Sequence, residues 1–255
     1  MNSSDTRRFG AVNRLYGNAA RSAFARTHVC VAGLGGVGSW CVEALARTGV
    51  GEITLIDGDV VAESNINRQL PALVSTIGKP KARVLANRIA DINPEARVHV
   101  VESFLDEASF DACIPPGAII VDAIDSLSVK AALIAWARAH GRAIVVSGGA
   151  GGRMDPGAVT VADLARAEND ALLSKVRARL RKGYGFPKGA ADPSRTRPFG
   201  IRAVFSTEKA RPCAPDAALE VGQAAGFGTS MVVTASVGLR LAAEVLRIAA
   251  EGKSA

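Results

Sequence analysis

The sequence is poor in several residue types that would point to particular protein classes. Aromatic residues make up only 5% of the 255 residues, and the four cysteines, at positions 30, 41, 113 and 213, form no Cys-x-x-Cys pair. A zinc knuckle and a disulfide framework are therefore not supported. The first ten residues contain no apolar segment of the kind found in secretory signals. We accordingly expect a cytoplasmic protein.

Long uncharged apolar runs are also missing. The apolar stretch nearest the end of the chain, residues 226–250, carries Arg240, Glu244 and Arg247. Charges at these positions make a membrane crossing costly, so an amphipathic helix packed on the domain is the better interpretation. The chain has 48% hydrophobic and 22% charged residues, a balance typical of globular proteins.

Aliphatic segments alternate with helical patterns over the first part of the chain. Strands are predicted at 28–33, 52–57, 97–103, 118–125 and 142–151, and helices at 36–48, 79–93 and 126–141. This alternation predicts an α/β fold with a doubly wound, mostly parallel Rossmann-like sheet. An N-terminal helical segment at 7–27, broken near Gly17, precedes it. We predict one domain over 1–255, with a nucleotide-binding core at 7–150 and a basic helix, loop and strand extension at 151–255.

The first predicted strand runs directly into a glycine-rich turn, in the stretch VCVAGLGGVGSW. The glycines are Gly33, Gly35, Gly36 and Gly38. Such a turn lets the backbone approach phosphate at a helix N-terminus. Asp57 ends the next strand 19 residues after Gly38, the spacing expected of an acid that binds ribose hydroxyls. A dinucleotide and ATP both fit these features.

The segment after Asp57 favours ATP. It holds polar and basic residues that a hydride-transferring enzyme does not need, namely Asp59, Asn65, Arg68, Gln69 and Lys81. Arginine can bind phosphate oxygens in a bidentate way and lysine acts as a point charge, so Arg68 and Lys81 suit a triphosphate. The alternative is a polar loop that merely faces solvent.

Two aspartates follow the fourth predicted strand, at the carboxyl edge where open α/β sheets bind ligands. Asp125 is a candidate Mg²⁺ ligand, because that ion is commonly held by one or two carboxylates together with phosphate oxygens. Asp125 could instead cap the following helix, although Ser126 offers an alternative cap. Asp122 points the other way along the strand and is interpreted as structural.

The motifs GLGGVGS, LIDGDVV, SNINRQ, IGKPK and DAIDS resemble, as an ordered set, the adenylating fold of ubiquitin-activating enzymes and their bacterial adenylyltransferase relatives. The typical sulfur-carrier activators of that group contain two Cys-x-x-Cys pairs, which are missing here. The segments RFGAVNRLYG, VFSTEKARP and FGTSMVVTASVGLRLAAEVL are instead similar to the tRNA threonylcarbamoyladenosine dehydratase family, and this resemblance covers nearly the whole chain.

That resemblance implies a function and a site. The family uses ATP to convert threonylcarbamoyladenosine in tRNA to its cyclic hydantoin form. Asp57 would bind ribose, Asp125 would hold Mg²⁺, and Arg14 would reach the ATP of a partner subunit in a homodimer with composite sites. The implied catalytic residues are Arg14, Arg68, Lys81 and Asp125. The sequence leaves open whether a sulfur-transfer accessory protein is a further partner. Cys213 could take an acyl group, but a lone cysteine is more commonly inert.

Basic residues concentrate in the second half. Eleven lysines and arginines lie between Lys175 and Arg211, opposed by two acids, whereas the net charge of the whole chain is +7. A basic stripe beside a Gly/Pro-rich loop is typical of nucleic-acid binding, although charge runs are often only solvated. The predicted tRNA-binding residues are Lys175, Arg177, Arg179, Arg181, Lys182, Lys188, Arg195 and Arg197.

Three rival functions are kept open. The first is an adenylyltransferase that activates the C-terminus of a ubiquitin-like sulfur-carrier protein. The second is a non-catalytic tRNA-binding protein with a vestigial nucleotide fold, and the third is a nicotinamide-dependent oxidoreductase, which the glycine turn alone supports.

Overall fold

The computed structural model describes residues 3–190, 195–212 and 227–252. Seven strands are present in this part of the chain. Their bounds are β1 His28–Ala32, β2 Glu52–Ile56, β3 Arg97–Val101, β4 Ile119–Asp122, β5 Ile144–Ser147, β6 Val159–Asp163 and β7 Arg202–Ser206. All seven join one sheet in the order β3-β2-β1-β4-β5-β7-β6.

The described residues also form seven α-helices. They are α1 Ser3–Arg26, α2 Gly38–Thr48, α3 Lys81–Ile92, α4 Phe110–Cys113, α5 Leu127–Ala139, α6 Ala171–Gly183 and α7 Met231–Ala250. The helix α1 is interrupted at Gly17, as the sequence predicts. Of these helices, α4 was not predicted. The 3-10 turns Glu63–Asn65 and Val74–Thr76 were also missed.

Most of the sheet is parallel, and the predicted doubly wound architecture is confirmed. The strand order reverses between β1 and β4: the chain builds β1 to β3 outward on one side and then returns to add β4 beside β1 and continue on the other side. The exception is β6, which runs antiparallel to β7 at the edge, with Val161 opposite Val204. The strand β7 inserts parallel to β5, between β5 and β6.

Helices cover both faces of the sheet, which explains the aliphatic character of its strands. On one face, Leu45 of α2, Leu85 of α3 and Leu241 of α7 pack on Val31 and Leu55. On the other, helices α5 and α6 contribute Leu133 and Leu173 to a second core. No helix in the described ranges is long and apolar enough to cross a membrane, and α7 packs on α2 and the sheet as an amphipathic helix.

Candidate nucleotide-binding active site

One cavity of about 640 Å³ opens at the carboxyl edge of the sheet. The segments that follow β1, β2, β3, β4 and β5 all line it, together with the 3-10 turn Glu63–Asn65 and the start of α7. This is the position at which open α/β sheets bind their ligands. Nine of the predicted nucleotide-binding residues and the predicted metal ligand border the cavity: Gly33, Gly35, Gly36, Asp57, Asp59, Asn65, Arg68, Gln69, Lys81 and Asp125.

The glycine turn is held tightly against the neighbouring strand. Gly33 has a φ of +87°, and a Cβ atom there would lie 2.7 Å from the carbonyl oxygen of Ala123. No other residue type fits this backbone and this contact. Gly36 faces the cavity beside the Arg68 side chain, where a Cβ would approach Arg68 Cγ to 3.2 Å. The turn therefore exposes backbone at the cavity wall, as phosphate binding requires.

Gly38 differs from the other three glycines. It does not border the cavity but begins α2, and a Cβ there would lie 1.9 Å from the carbonyl oxygen of Gly33. Only glycine allows the helix to start this close to the turn. Gly38 therefore serves the packing of α2 on the glycine turn, and the direct ligand contact predicted for it is not supported by its position.

Asp57 braces the turn as well as facing the cavity. Its Oδ2 accepts a hydrogen bond of 2.7 Å from the Leu34 backbone N–H, and its Oδ1 accepts one of 2.8 Å from the Asp59 N–H. Each carboxylate oxygen can accept more than one hydrogen bond, so both retain capacity for a ligand hydroxyl. Asp57, which is expected to bind ribose, thus also holds the glycine turn in place through Leu34.

Lys81 is the buried cation of the site. Its side chain is only 6% exposed, and its Nζ lies 2.8 Å from Oδ2 of the exposed Asp59. This ion pair with the Asp59 carboxylate holds the Lys81 side chain at the cavity wall. A phosphate group would give Lys81 a second anionic partner without requiring the side chain to move far.

The residues after β2 combine structural and exposed groups. Asn65 Oδ1 accepts a hydrogen bond from the Ala62 N–H and so shapes the 3-10 turn. Arg68 is half-buried, and its Nη1 donates to Ser64 O at 2.9 Å and to Asn67 Oδ1 at 2.8 Å. Gln69 is buried beside Gly35, and its Oε1 has no hydrogen-bond partner. An orphaned buried acceptor next to the turn fits a site that a polar ligand completes.

Two aspartates flank the end of β4 and have separate tasks. Asp122 is fully buried with Lys130, whose Nζ lies 2.9 Å from Asp122 Oδ2. Burial raises the pKa of Asp122, while the charge of Lys130 opposes that rise. Asp122 is thus structural, as predicted, and its Oδ1 accepts from the Ile124 N–H at 3.0 Å.

Asp125 is exposed at the cavity and, within the described residues, has no hydrogen-bond or ion-pair partner. Ser126 is the N-cap residue of α5, which leaves the Asp125 carboxylate uncommitted. One such carboxylate, in a cavity that the glycine turn also lines, is the kind of ligand with which proteins commonly hold Mg²⁺ on a phosphate group. The residues present therefore fit a phosphate-bound magnesium ion.

Arg14 does not line the cavity of its own chain. It is exposed on α1, with its guanidinium directed back along the helix toward Gly10. A role for Arg14 at this cavity thus depends on another subunit.

Sequence reasoning missed part of the cavity wall. Residues 103–105 follow β3, Ser147 ends β5 and residues 148–151 follow it, and Thr229 and Thr234 lie just before and within the first turn of α7. The run SGGAG at 147–151 contains the one available signal, since glycines directly after a parallel strand suggest close approach of backbone to a ligand. The other segments carry no local signal and reach the cavity only because the chain folds back.

The loop after β5 is joined to α6 by a buried ion pair. Asp170 caps α6 by accepting from the Leu173 N–H, and its Oδ2 accepts from the Gly149 N–H at 2.9 Å. Arg153, whose side chain is 3% exposed, lies 3.3 Å from the same Oδ2. The cavity wall and the start of the basic helix are therefore held by the same two charged residues.

The predicted tRNA-binding residues divide into two groups. Arg177 and Arg181 are half-buried; burial lowers the pKa of Arg177, and Arg181 lies over the Phe199 ring and donates to Pro187 O. The other six are exposed: Lys175, Arg179, Lys182, Lys188, Arg195 and Arg197. Residues 175, 179 and 182 follow helical spacing and lie on one face of α6.

The cysteines give no nucleophile in the described part of the chain. Cys30 and Cys41 are buried, and burial raises the pKa of the Cys30 thiol to about 12 and that of Cys41 as well. Cys113 is half-buried and lies outside the cavity. Cys213 falls outside the described residues.

A doubly wound sheet with a glycine turn, an acid directly after β2, two basic side chains and an uncommitted carboxylate around one cavity defines a nucleotide-binding protein of the Rossmann-like class. A model of the ThiF family matches residues 10–253. The chain therefore belongs to the ThiF family.

Individual relatives show which members of the ThiF family this chain resembles. The chain is 43% identical to the tRNA threonylcarbamoyladenosine dehydratase of Escherichia coli strain K12 over 252 residues, which covers 94% of this chain and 92% of that protein. A crystal structure of the E. coli dehydratase in complex with ATP matches with a TM-score of 0.87, at 41% identity, over 98% of this chain and 97% of the other. The molybdopterin-synthase adenylyltransferase of Salmonella typhimurium matches only 43% of the chain, at 34% identity. Within the ThiF family, the chain belongs with the dehydratases.

Proposed function

We propose that this protein is an ATP-dependent tRNA threonylcarbamoyladenosine dehydratase. The likeness to the E. coli dehydratase over nearly the full length of both chains carries this proposal. The convergence of Asp57, Arg68, Lys81 and Asp125 on one cavity supports it independently, because these groups suit a triphosphate rather than a nicotinamide.

The reaction activates a carboxylate and then closes a ring. The threonyl carboxylate of the modified adenosine attacks the α-phosphorus of ATP, pyrophosphate leaves, and an acyl-adenylate forms. The carbamoyl nitrogen then attacks the acyl carbon, loses its proton, and AMP departs as the ring closes. One water is lost from the nucleoside overall, and its oxygen leaves with AMP.

Catalysis by this chain would consist of positioning and charge neutralisation. The glycine turn with Gly35 and Gly36 holds the phosphates through backbone, and Asp57 binds the ribose. Lys81 and Arg68 neutralise charge that develops on the phosphates as pyrophosphate leaves. Asp125 would hold Mg²⁺, which supplies Lewis-acid stabilisation of the triphosphate when bound. No side-chain nucleophile is needed.

Mass spectrometry of tRNA nucleosides tests the proposed function. Incubation of the protein with threonylcarbamoyladenosine-containing tRNA, ATP and Mg²⁺ is expected to yield a nucleoside that has lost one water, with one AMP and one pyrophosphate per turnover. A reaction with α,β-methylene-ATP serves as the control. ATP-to-AMP conversion that depends on a small protein with a Gly-Gly tail, and not on tRNA, would overturn the proposal in favour of a sulfur-carrier adenylyltransferase.

We infer that the exposed face of α6 binds the tRNA backbone. Replacing Lys175, Arg179 and Lys182 together by alanine is expected to weaken tRNA binding and to reduce the slope of log K against log salt by about 2 to 3, because up to three phosphate contacts are lost. Filter binding or fluorescence anisotropy at several salt concentrations measures both quantities. The KM for ATP should stay unchanged, since these residues are exposed on α6 and do not border the cavity.

A charge-matched triple variant controls for the loss of net charge. Arg26→Ala, Arg83→Ala and Arg240→Ala remove the same charge from exposed positions outside α6. This variant should retain both the affinity and the salt slope. Equal losses in the two triple variants would contradict a binding face on α6.

We further propose a homodimer in which Arg14 completes the site of the partner subunit. Support comes from Arg14 being exposed on α1 and not lining the cavity of its own chain. Large exposed apolar side chains on α1 and in the 3-10 turn Val74–Thr76 support it as well, including Leu15 and Val74 at 77% and 84% exposed. Such side chains are often covered by a second subunit. A tRNA substrate would place the protein in the cytoplasm. A sulfur-transfer accessory protein is not required by the proposed chemistry.

Mixing two inactive variants tests the composite site. Arg14→Ala and Asp125→Asn should each be inactive alone, whereas subunit exchange between them should restore about a quarter of wild-type activity, because half of the dimers then contain one intact site. Sedimentation confirms the dimer in each sample. If activity does not recover although subunit exchange is verified, Arg14 does not act in the site of the partner subunit.

A further inference from the structure

Two histidines and a glutamate meet at the edge of the sheet opposite the nucleotide cavity. His28, Glu52 and His99 lie at or near the amino ends of β1, β2 and β3. His28 is aligned with Glu52, and His99 is aligned with Thr54, two residues further along β2. Because aligned residues on neighbouring parallel strands share a face, all three side chains project to the same side of the sheet.

The ligand-type atoms of these side chains are close together. His99 Nε2 lies 2.8 Å, and His28 Nδ1 lies 3.7 Å, from the same oxygen, Glu52 Oε1. The three atoms all lie within 4.8 Å of one another. A metal ion with tetrahedral bonds of 2.0 to 2.1 Å separates its ligand atoms by about 3.4 Å. Small side-chain rotations would therefore bring all three atoms to coordinating positions.

The surroundings orient two of the three ligands. His28 Nε2 is hydrogen-bonded to Thr54 Oγ1 at 2.8 Å, which leaves Nδ1 facing Glu52. The Arg97 guanidinium binds the other carboxylate oxygen, Glu52 Oε2, at 2.5 Å, which leaves Oε1 for the cluster. Hydrogen bonds of this kind, to the far nitrogen of a histidine and the far oxygen of a carboxylate, orient ligands in metal sites.

We propose that His28, Glu52 and His99 form a binding site for one zinc-like divalent cation, with water as the fourth ligand. Two imidazoles and one carboxylate suit Zn²⁺ and its transition-metal neighbours, and they do not suit Mg²⁺. His28 and Glu52 are 15% and 19% exposed and His99 is 51% exposed, so one side of the site opens to solvent. The bound ion would link the amino ends of three adjacent strands.

The alternative is a surface hydrogen-bond network without a metal. The charge of Arg97 would weaken cation binding, although its ion pair with Glu52 Oε2 is also what frees Oε1. The two interpretations differ in a measurable way, because only a metal site predicts stoichiometric binding that depends on all three ligands.

Calorimetric titration of the chelator-treated protein with Zn²⁺, in a buffer that contains Mg²⁺, tests the proposal. One equivalent is expected to bind and to raise the thermal unfolding temperature. His99→Ala should weaken binding at least about 100-fold, and Thr54→Val about 10-fold through loss of the oriented His28 ring. Co²⁺ in place of Zn²⁺ should give visible bands without the thiolate charge-transfer absorption that cysteine ligands would produce.

His140→Ala is the matched control. His140 is the third histidine of the sequence, follows α5 and lies outside the cluster. This variant should bind Zn²⁺ like the wild type. If the wild type does not bind Zn²⁺, or if the His99 and His140 variants bind it equally well, the proposal is wrong and any bound zinc is an adventitious ion only. The readout does not involve tRNA or ATP, so its outcome is independent of the proposed dehydratase activity.

Discussion

Asp125→Asn is expected to lower kcat/KM for threonylcarbamoyladenosine dehydration by about 10³, equivalent to about 4 kcal/mol of transition-state stabilisation. Asp125 is the one carboxylate of the described cavity wall without a protein partner, since Asp57 holds the glycine turn and Asp59 pairs with Lys81. Asparagine keeps the size of the side chain and removes the charge that would hold Mg²⁺. Nucleoside mass spectrometry with quenched time points measures the rate.

The control for this variant is its neighbour. Ser126→Ala alters the N-cap residue of α5, whose side chain makes no capping hydrogen bond, and should leave the rate within about twofold of wild type because no charge is lost. Both variants should unfold at the wild-type temperature. A rate for Asp125→Asn within tenfold of wild type would remove Asp125 from the catalytic machinery and leave the magnesium site without its proposed ligand.

Lys130→Met is expected to destabilise the protein by about 3 to 5 kcal/mol, because it leaves the fully buried Asp122 carboxylate without its partner. For a chain of this size the unfolding temperature should fall by roughly 10 °C. Lys130 also donates to the Asp122 carbonyl oxygen at 3.3 Å, directly before the segment that carries Asp125. Thermal unfolding followed by circular dichroism gives the shift.

A double variant distinguishes the cost of the unpaired charge from the cost of altered side-chain packing. Asp122→Asn combined with Lys130→Met removes both charges and keeps an Oδ1 acceptor for the Ile124 N–H. Replacing both members of a buried pair is far less costly than replacing one. The double variant should therefore recover most of the stability that Lys130→Met loses. If it is as unstable as Lys130→Met alone, the cost lies in packing rather than in the unpaired charge.

Local sequence patterns were sufficient for much of the site. The glycine turn and Asp57 belong to one strand–turn–helix–strand unit, and their positions follow from geometry within about thirty residues. The segment directly after this unit carries the remaining polar and basic residues. It lines the same cavity with Asn65, Arg68, Gln69 and Lys81. The assignment of Asp122 to structure also followed locally, from the alternation of side chains along β4.

Other assignments depended on contacts that local patterns do not encode. Gly38 matches the glycine motif, yet it packs on the Gly33 carbonyl instead of facing the cavity. Arg177 and Arg181 read as part of a charged stripe, but helix packing half-buries both. The wall after β3, the wall after β5 and the threonines around the start of α7 are separated from the glycine turn by up to 201 residues of chain (Gly33 to Thr234), and no short-range spacing links them.

By itself, the sequence determined the class of fold, the phosphate-binding turn and the identity of its charged neighbours, because hydrophobic periodicity and turn chemistry act over a few residues. The tertiary structure decided the strand order, with β7 inserted between β5 and the antiparallel β6, and it supplied Lys130 as the buried partner of Asp122. It also brought His28, Glu52 and His99 together from three strands. Strand order and contacts of this kind depend on how segments far apart in the sequence pack together to bury apolar surface. Patterns within a few residues do not contain that information.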